Sequence, residues 1–155
     1  MATLSSVLVV GGAIGPAWWT GEKGGLGMGV GLREMVLCAT GSCTSRGLDG
    51  LGGGSPSWPK LGAIAFAIGW VAGLFLIAAA ASAVASSAKW RARLGQAASA
   101  ASLFALVVGA GFAWTYPGFD GLGAGWAMIT YLGGAALGVG SAGFLIAAGG
   151  ARPAP

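Results

Sequence analysis

The sequence predicts an all-α membrane protein, a four-transmembrane-helix bundle with a disulfide-pinned first extracytoplasmic loop that contains a β-hairpin. Of its 155 residues, 55% are hydrophobic and only 8% are charged, and the mean hydropathy is +0.80. Soluble domains carry about 25% charged residues, so this chain could not cover a water-exposed surface. Its apolar residues form four long runs, and its two cysteines lie between the first two.

The four apolar runs lie at about residues 4–20, 61–86, 97–116 and 125–149, and none contains a charged residue. A helix needs about 20 apolar residues to cross a hydrocarbon core roughly 30 Å thick. Continuous apolar runs favour helices over the alternating strands of a membrane barrel. The first run also has features of a signal peptide, but it lacks a basic n-region and is expected to be retained as a helix.

The charged residues predict the orientation of these spans. Lys89, Arg91 and Arg93 fall in an expected inner basic loop at residues 87–96, and Arg152 follows the last span. An excess of Lys and Arg marks the cytoplasmic side. Both termini are therefore expected in the cytoplasm, and loops 21–60 and 117–124 outside an inner or plasma membrane. The net charge of +4 is then explained by topology, and no clustered basic face indicates nucleic-acid binding.

Several spans contain glycines four residues apart, a spacing that favours close helix contact. In lipid, helices associate through small residues that let their backbones approach. The predicted helix-packing residues are Gly11, Gly15, Gly69, Gly73, Gly134 and Gly138. Packing within one bundle and docking of partner subunits both stay open, and small residues on more than one face of the fourth span favour partners there.

Tryptophans lie mostly near the predicted span ends. Amphipathic aromatic rings favour the headgroup level of a bilayer. Trp18, Trp19, Trp114 and Trp126 are therefore predicted to anchor the spans at the membrane surface, whereas Trp70 lies deeper.

The first outer loop contains both cysteines, Cys38 and Cys43, separated by a plausible Ala-Thr-Gly-Ser turn. An oxidising outer compartment favours a disulfide between them. The alternatives are weaker, because a CxxC redox motif has two intervening residues and a zinc site needs further ligands. The sequence thus predicts a disulfide that pins a hairpin tip.

Local motifs and the overall topology resemble the superfamily of claudins, peripheral myelin protein and epithelial membrane proteins. The first span ends in Pro16-Ala17-Trp18, similar to the Pro-x-Trp of many claudins, and Gly31-Leu32 precedes the cysteine pair. The third span ends in an aromatic cluster, Trp114 and Tyr116. The chain departs from the family at Arg33, where a Trp is usual, and in its cysteine spacing. The resemblance implies roles in adhesion, barrier formation or modulation of a partner channel.

The residues predict no enzyme. The chain has no His, and its acids, Glu22, Glu34, Asp49 and Asp120, all lie in outer loops. Without an ionisable residue in a span, the usual marker of a proton or ion pathway is missing. No metal site or cofactor is predicted, although bound lipid is compatible with the spans.

The expected function is contact rather than catalysis. The protein would be an accessory or structural subunit of a membrane complex, or would self-associate in a claudin-like way. Its partners would be membrane lipid and other membrane subunits or further copies of itself, with no nucleic acid. The alternative is an oligomeric channel or transport component lined by backbone carbonyls and hydroxyls.

Overall fold

A computed structural model describes residues 1–48, 57–85, 87–118 and 121–150 and shows four helices with a five-stranded sheet. The helices are α1 (Ala2–Ile14), α2 (Trp58–Ala85), α3 (Ala88–Trp114) and α4 (Trp126–Gly150). The strands are β1 (Trp19–Lys23), β2 (Leu26–Val30), β3 (Glu34–Ala39), β4 (Ser42–Gly47) and β5 (Gly123–Ala124). Asp49, Asp120 and Arg152, which entered the charge argument, lie outside the described residues.

The fold is mixed α/β, so the prediction of an all-α protein was wrong. The first loop forms two consecutive hairpins where one was expected, and the second loop adds β5 beside β1. The sheet order is β4-β3-β2-β1-β5, and every neighbouring pair is antiparallel. Short glycine-rich strands carry little hydrophobic alternation, which explains why the sequence pattern underestimates the sheet.

Helices α2, α3 and α4 are long and apolar enough to cross a membrane by length and composition. Helix α1 has 13 residues and ends at Ile14, well before the end of the predicted run at residue 20. Gly15 is already extended, at φ −67° and ψ 130°. Pro16 explains this, because proline disfavours helical geometry in the residue before it. Trp19 and Thr20 consequently belong to β1.

The inner basic loop expected at residues 87–96 is also a correction, because α3 begins at Ala88 and runs through Lys89, Arg91 and Arg93. This segment contains helix-forming residues and no Gly or Pro before Gly95, so nothing interrupts the helix. With 27 residues, α3 rises about 40 Å, more than a hydrocarbon core of roughly 30 Å. Its first turns can therefore stand outside the apolar layer while remaining helical.

The helices are arranged in a ring, because α1 and α3 each pack against both α2 and α4. The sheet lies at the end where α1 and α3 finish and α2 and α4 begin. Trp58 at the start of α2 and Phe112 near the end of α3 both contact Trp19 of β1. The basic first turns of α3 thus lie at the opposite end of the bundle from the sheet.

Candidate interaction surface

An aromatic cluster joins the sheet to the helix bundle. Trp19 of β1 stacks on Tyr116 with ring centroids 4.4 Å apart, and Trp58 stacks on Phe112 at 4.7 Å. Trp18 lies against Phe112 at 5.4 Å and against Tyr131 of α4 at 5.1 Å. We call this cluster the aromatic junction; its members are Trp18, Trp19, Trp58, Phe112, Tyr116 and Tyr131.

The polar atoms of the aromatic junction are bonded to helix carbonyls. The Trp18 indole N–H donates to the Gly12 carbonyl at 2.8 Å, and the Tyr131 hydroxyl donates to the Ala65 carbonyl at 2.7 Å. Buried Trp and Tyr side chains normally satisfy their polar ends in this way. These bonds tie the sheet-proximal end of α1 to the loop that follows it, and α4 to α2, so the sheet is held in one orientation on the bundle.

Two of the predicted membrane anchors are interior residues instead. Trp18 is fully buried and Trp19 is 5% exposed, whereas Trp114 is 91% and Trp126 54% exposed. Anchoring at the membrane surface is therefore wrong for the first pair and stays a prediction for the second. Phe112 and Tyr116, four residues apart, share the face of α3 opposite Trp114; that spacing was the sequence signal for the junction.

Five of the six predicted helix-packing glycines lie in contacts between helices of this chain. A Cβ atom at Gly69 would lie 2.7 Å from the Tyr131 ring, and one at Gly73 would lie 2.6 Å from Val10. Gly15, Gly134 and Gly138 are equally crowded. These glycines support close packing within one bundle, as small residues do in lipid.

Gly11 is the exception, because a Cβ there would meet no described atom within 4 Å. The neighbouring Gly12 makes the α1–α4 contact instead, where a Cβ would lie 2.5 Å from the Tyr131 backbone nitrogen. The four-residue spacing therefore identified the right helix but the wrong glycine. On α4, Gly133 and Gly140 also have open space where a side chain would be.

The predicted disulfide is confirmed and closes the β3–β4 hairpin. Cys38 and Cys43 are directly opposed across the two strands, with Cα atoms 4.1 Å apart. Thr40 and Gly41 form the turn, with φ of 44° and 86°. Two residues with positive φ give the tight turn that matches the twist of a hairpin. The disulfide therefore sits immediately beside the turn, at the hairpin tip.

Strand β4 is the free edge of the sheet, and all six of its residues are exposed. In a hairpin with a two-residue turn, hydrogen-bonded and non-hydrogen-bonded pairs alternate from the turn outward. The short Cα distance at Cys38–Cys43 marks a non-hydrogen-bonded pair. Ser45 is two residues further along β4, so its N–H points away from β3. The outer edge thus presents backbone donors and acceptors that a further strand can pair with.

The predicted acidic residues do not converge. Glu22 lies in β1 and Glu34 begins β3, and β2 separates these strands. Within the described ranges, no group of three or more His, Cys, Asp or Glu side chains could hold a metal ion. Lys89, Arg91 and Arg93 lie together in the first two turns of α3, where Arg93 stands over the Trp90 ring at 5.8 Å.

Sequence comparisons add no relative to this description. The chain matches no protein-family model and has no significant match among curated proteins.

Proposed function

We propose that this protein is a non-catalytic integral membrane protein that acts through contacts, with its sheet as the contact module. It serves as an accessory or structural subunit of a membrane complex, or it self-associates in the manner that its claudin resemblance suggests. The free, fully exposed edge of β4 carries this proposal. An open strand edge is a template for a strand of another chain, and main-chain pairing gives such contacts their affinity.

In this proposal all four helices lie in the membrane, including the short α1. Leu4, Val7 and Ile14 of α1 are each more than half exposed, which gives α1 an apolar outward face suited to lipid. The other helices present similar large apolar side chains outward, among them Leu74, Phe104, Val107 and Ile129. Basic residues at the far end of the bundle favour a cytoplasmic location for that end and an outer location for the sheet.

A proline at Ser45 tests the contact module. Ser45→Pro removes an N–H from the outer edge without removing a bond to β3, so strand addition should be lost while the hairpin is kept. Ser45→Ala is the matched control, because it changes the side chain and retains the N–H.

We expect the native protein and Ser45→Ala to form oligomers or to retain a co-purified subunit in lipid nanodiscs, measured by native mass spectrometry. Ser45→Pro should lose this association at least tenfold. A native protein that is strictly monomeric without any co-purifying chain would contradict the proposal, and so would unchanged association of Ser45→Pro.

The alternative of an oligomeric channel has no comparable support. It relied on Gly134 and Gly138, and these positions are filled by Leu8 and Val9 of α1 and by Ser102 of α3. Bulky substitutions there would disturb packing within the chain, so they would not report on a pore.

A further inference from the structure

A groove follows the contact between α1 and α2 from the sheet towards the middle of the bundle. Its upper part is a cavity of about 380 Å³ between the end of α1, the base of the β3–β4 hairpin and α2, where Ile14, Arg33, Glu34, Arg46 and Phe66 are among the lining residues. Its lower part is a cavity of about 360 Å³ with an apolar lining that includes Val7, Gly11, Ile14, Trp70, Leu74 and Ile77.

The two cavities are continuous in their lining. Ile14 borders both of them. Phe66 of the upper cavity and Trp70 of the lower one are one helical turn apart on α2, with ring centroids separated by 6.4 Å. The groove therefore has a polar end at the sheet and an apolar end among the helices.

The length of the apolar part corresponds to one leaflet of a bilayer. From Phe66 to Ile77 helix α2 rises about 17 Å, since each residue adds about 1.5 Å. The hydrocarbon core is roughly 30 Å thick, so the groove extends about half of the way across it from the sheet side. Open space at Gly11 gives an extended chain room beside α1.

The polar end has the charges to bind a phosphate and an amine together. The Arg33 guanidinium stands over the Phe66 ring at 4.9 Å. Arg46 is paired with Met35, which is 8% exposed, so both side chains leave the sheet on the face that packs on the bundle. Guanidinium groups bind phosphate oxygens with paired hydrogen bonds. Glu34 beside them offers a carboxylate to an ammonium group.

We propose that this groove binds one phospholipid of the outer leaflet that carries an amine in its headgroup, of the phosphatidylethanolamine type. The phosphate lies between Arg33 and Arg46, the amine faces Glu34, and one acyl chain follows α1 and α2 to Ile77. The inference rests on the proposed placement of the bundle in a membrane, but it does not depend on strand addition at β4.

Native mass spectrometry of the protein in nanodiscs containing equal phosphatidylethanolamine and phosphatidylglycerol tests this site. The native protein should release with one bound phosphatidylethanolamine, and Arg33→Gln and Arg46→Gln should each reduce its occupancy at least fivefold. Lys60→Gln is the matched control, since it removes one cation at the same end of the bundle and Lys60 is not among the lining residues.

A second variant tests the apolar part independently of the headgroup. Gly11→Leu has room for its side chain and fills the groove, so it should displace the lipid while thermal unfolding stays within a few degrees of native. Glu34→Gln should remove the preference for the amine-bearing lipid. Equal occupancy in the native protein, the arginine variants and Gly11→Leu would overturn the site, and equal binding of phosphatidylglycerol would overturn the headgroup assignment. Oligomeric state in the same spectra reports separately on the proposed function.

Discussion

At the scale of single residues, adjacent glycines have opposite roles. A Cβ atom at Gly134 would lie 2.7 Å from the backbone nitrogen of Val9, whereas one at Gly133 would meet no described atom within 4 Å. The first glycine allows α4 to approach α1, and the second only faces outward. Composition counts both alike, so the abundance of glycine overstates the number of contact positions.

Gly134→Ala should therefore destabilise the protein, and Gly133→Ala should not. Forcing one methyl group into a tight helix contact costs about 1–3 kcal/mol, whereas alanine at an open helical position is neutral or slightly stabilising. Denaturant unfolding in detergent, followed by tryptophan fluorescence, measures the difference. Equal stability of the two variants would show that α1 and α4 are less closely packed than described.

At the scale of secondary-structure elements, the β3–β4 hairpin combines local and covalent constraints. Its turn residues take the conformations that a two-residue connection requires, and the disulfide joins the strands beside that turn. Its outer strand receives no further support, because all of β4 is exposed. The disulfide is therefore the main constraint on the strand that we propose to be the contact edge.

Replacing both cysteines, Cys38→Ser with Cys43→Ser, should loosen this hairpin and leave the helices in place. Closing so short a loop restricts the unfolded chain by an amount worth about 2 kcal/mol. Amide exchange measured by mass spectrometry should become at least tenfold faster in β3 and β4 and stay unchanged in α2, α3 and α4. Two free thiols in the native protein would contradict the disulfide itself.

At the scale of the whole molecule, charge is distributed between the two ends of the bundle. The sheet end carries described residues of both signs, including Glu22, Arg33, Glu34, Arg46 and Lys60, whereas the start of α3 carries only cations. The ring of helices places these groups at opposite ends. This asymmetry is the physical basis of the proposed orientation.

Cysteine labelling measures that orientation. In a background with both native cysteines replaced, Lys89→Cys should react with an impermeant maleimide only in inside-out vesicles. Lys60→Cys, at the other end of the bundle and also exposed, should react only in intact cells. The reverse pattern would show that the sheet faces the cytoplasm.

Features that depend on neighbouring residues could be predicted from the sequence. The three long apolar helices follow from the length of continuous runs, because lipid requires each segment to satisfy its own backbone. The disulfide follows from two cysteines flanking a turn of positive-φ residues, which is equally local.

The sequence by itself thus determined the apolar spans, their number of candidates and the cross-linked turn, while tertiary structure alone decided the sheet, the aromatic junction and the open groove. Strand β5 pairs with Trp19 about a hundred residues earlier in the chain, and no local pattern encodes that register. Trp18 and Trp19 have the composition of membrane anchors but lie inside, because the sheet folds over them. Whether a tryptophan or a glycine faces lipid or protein depends on which distant segment packs against it.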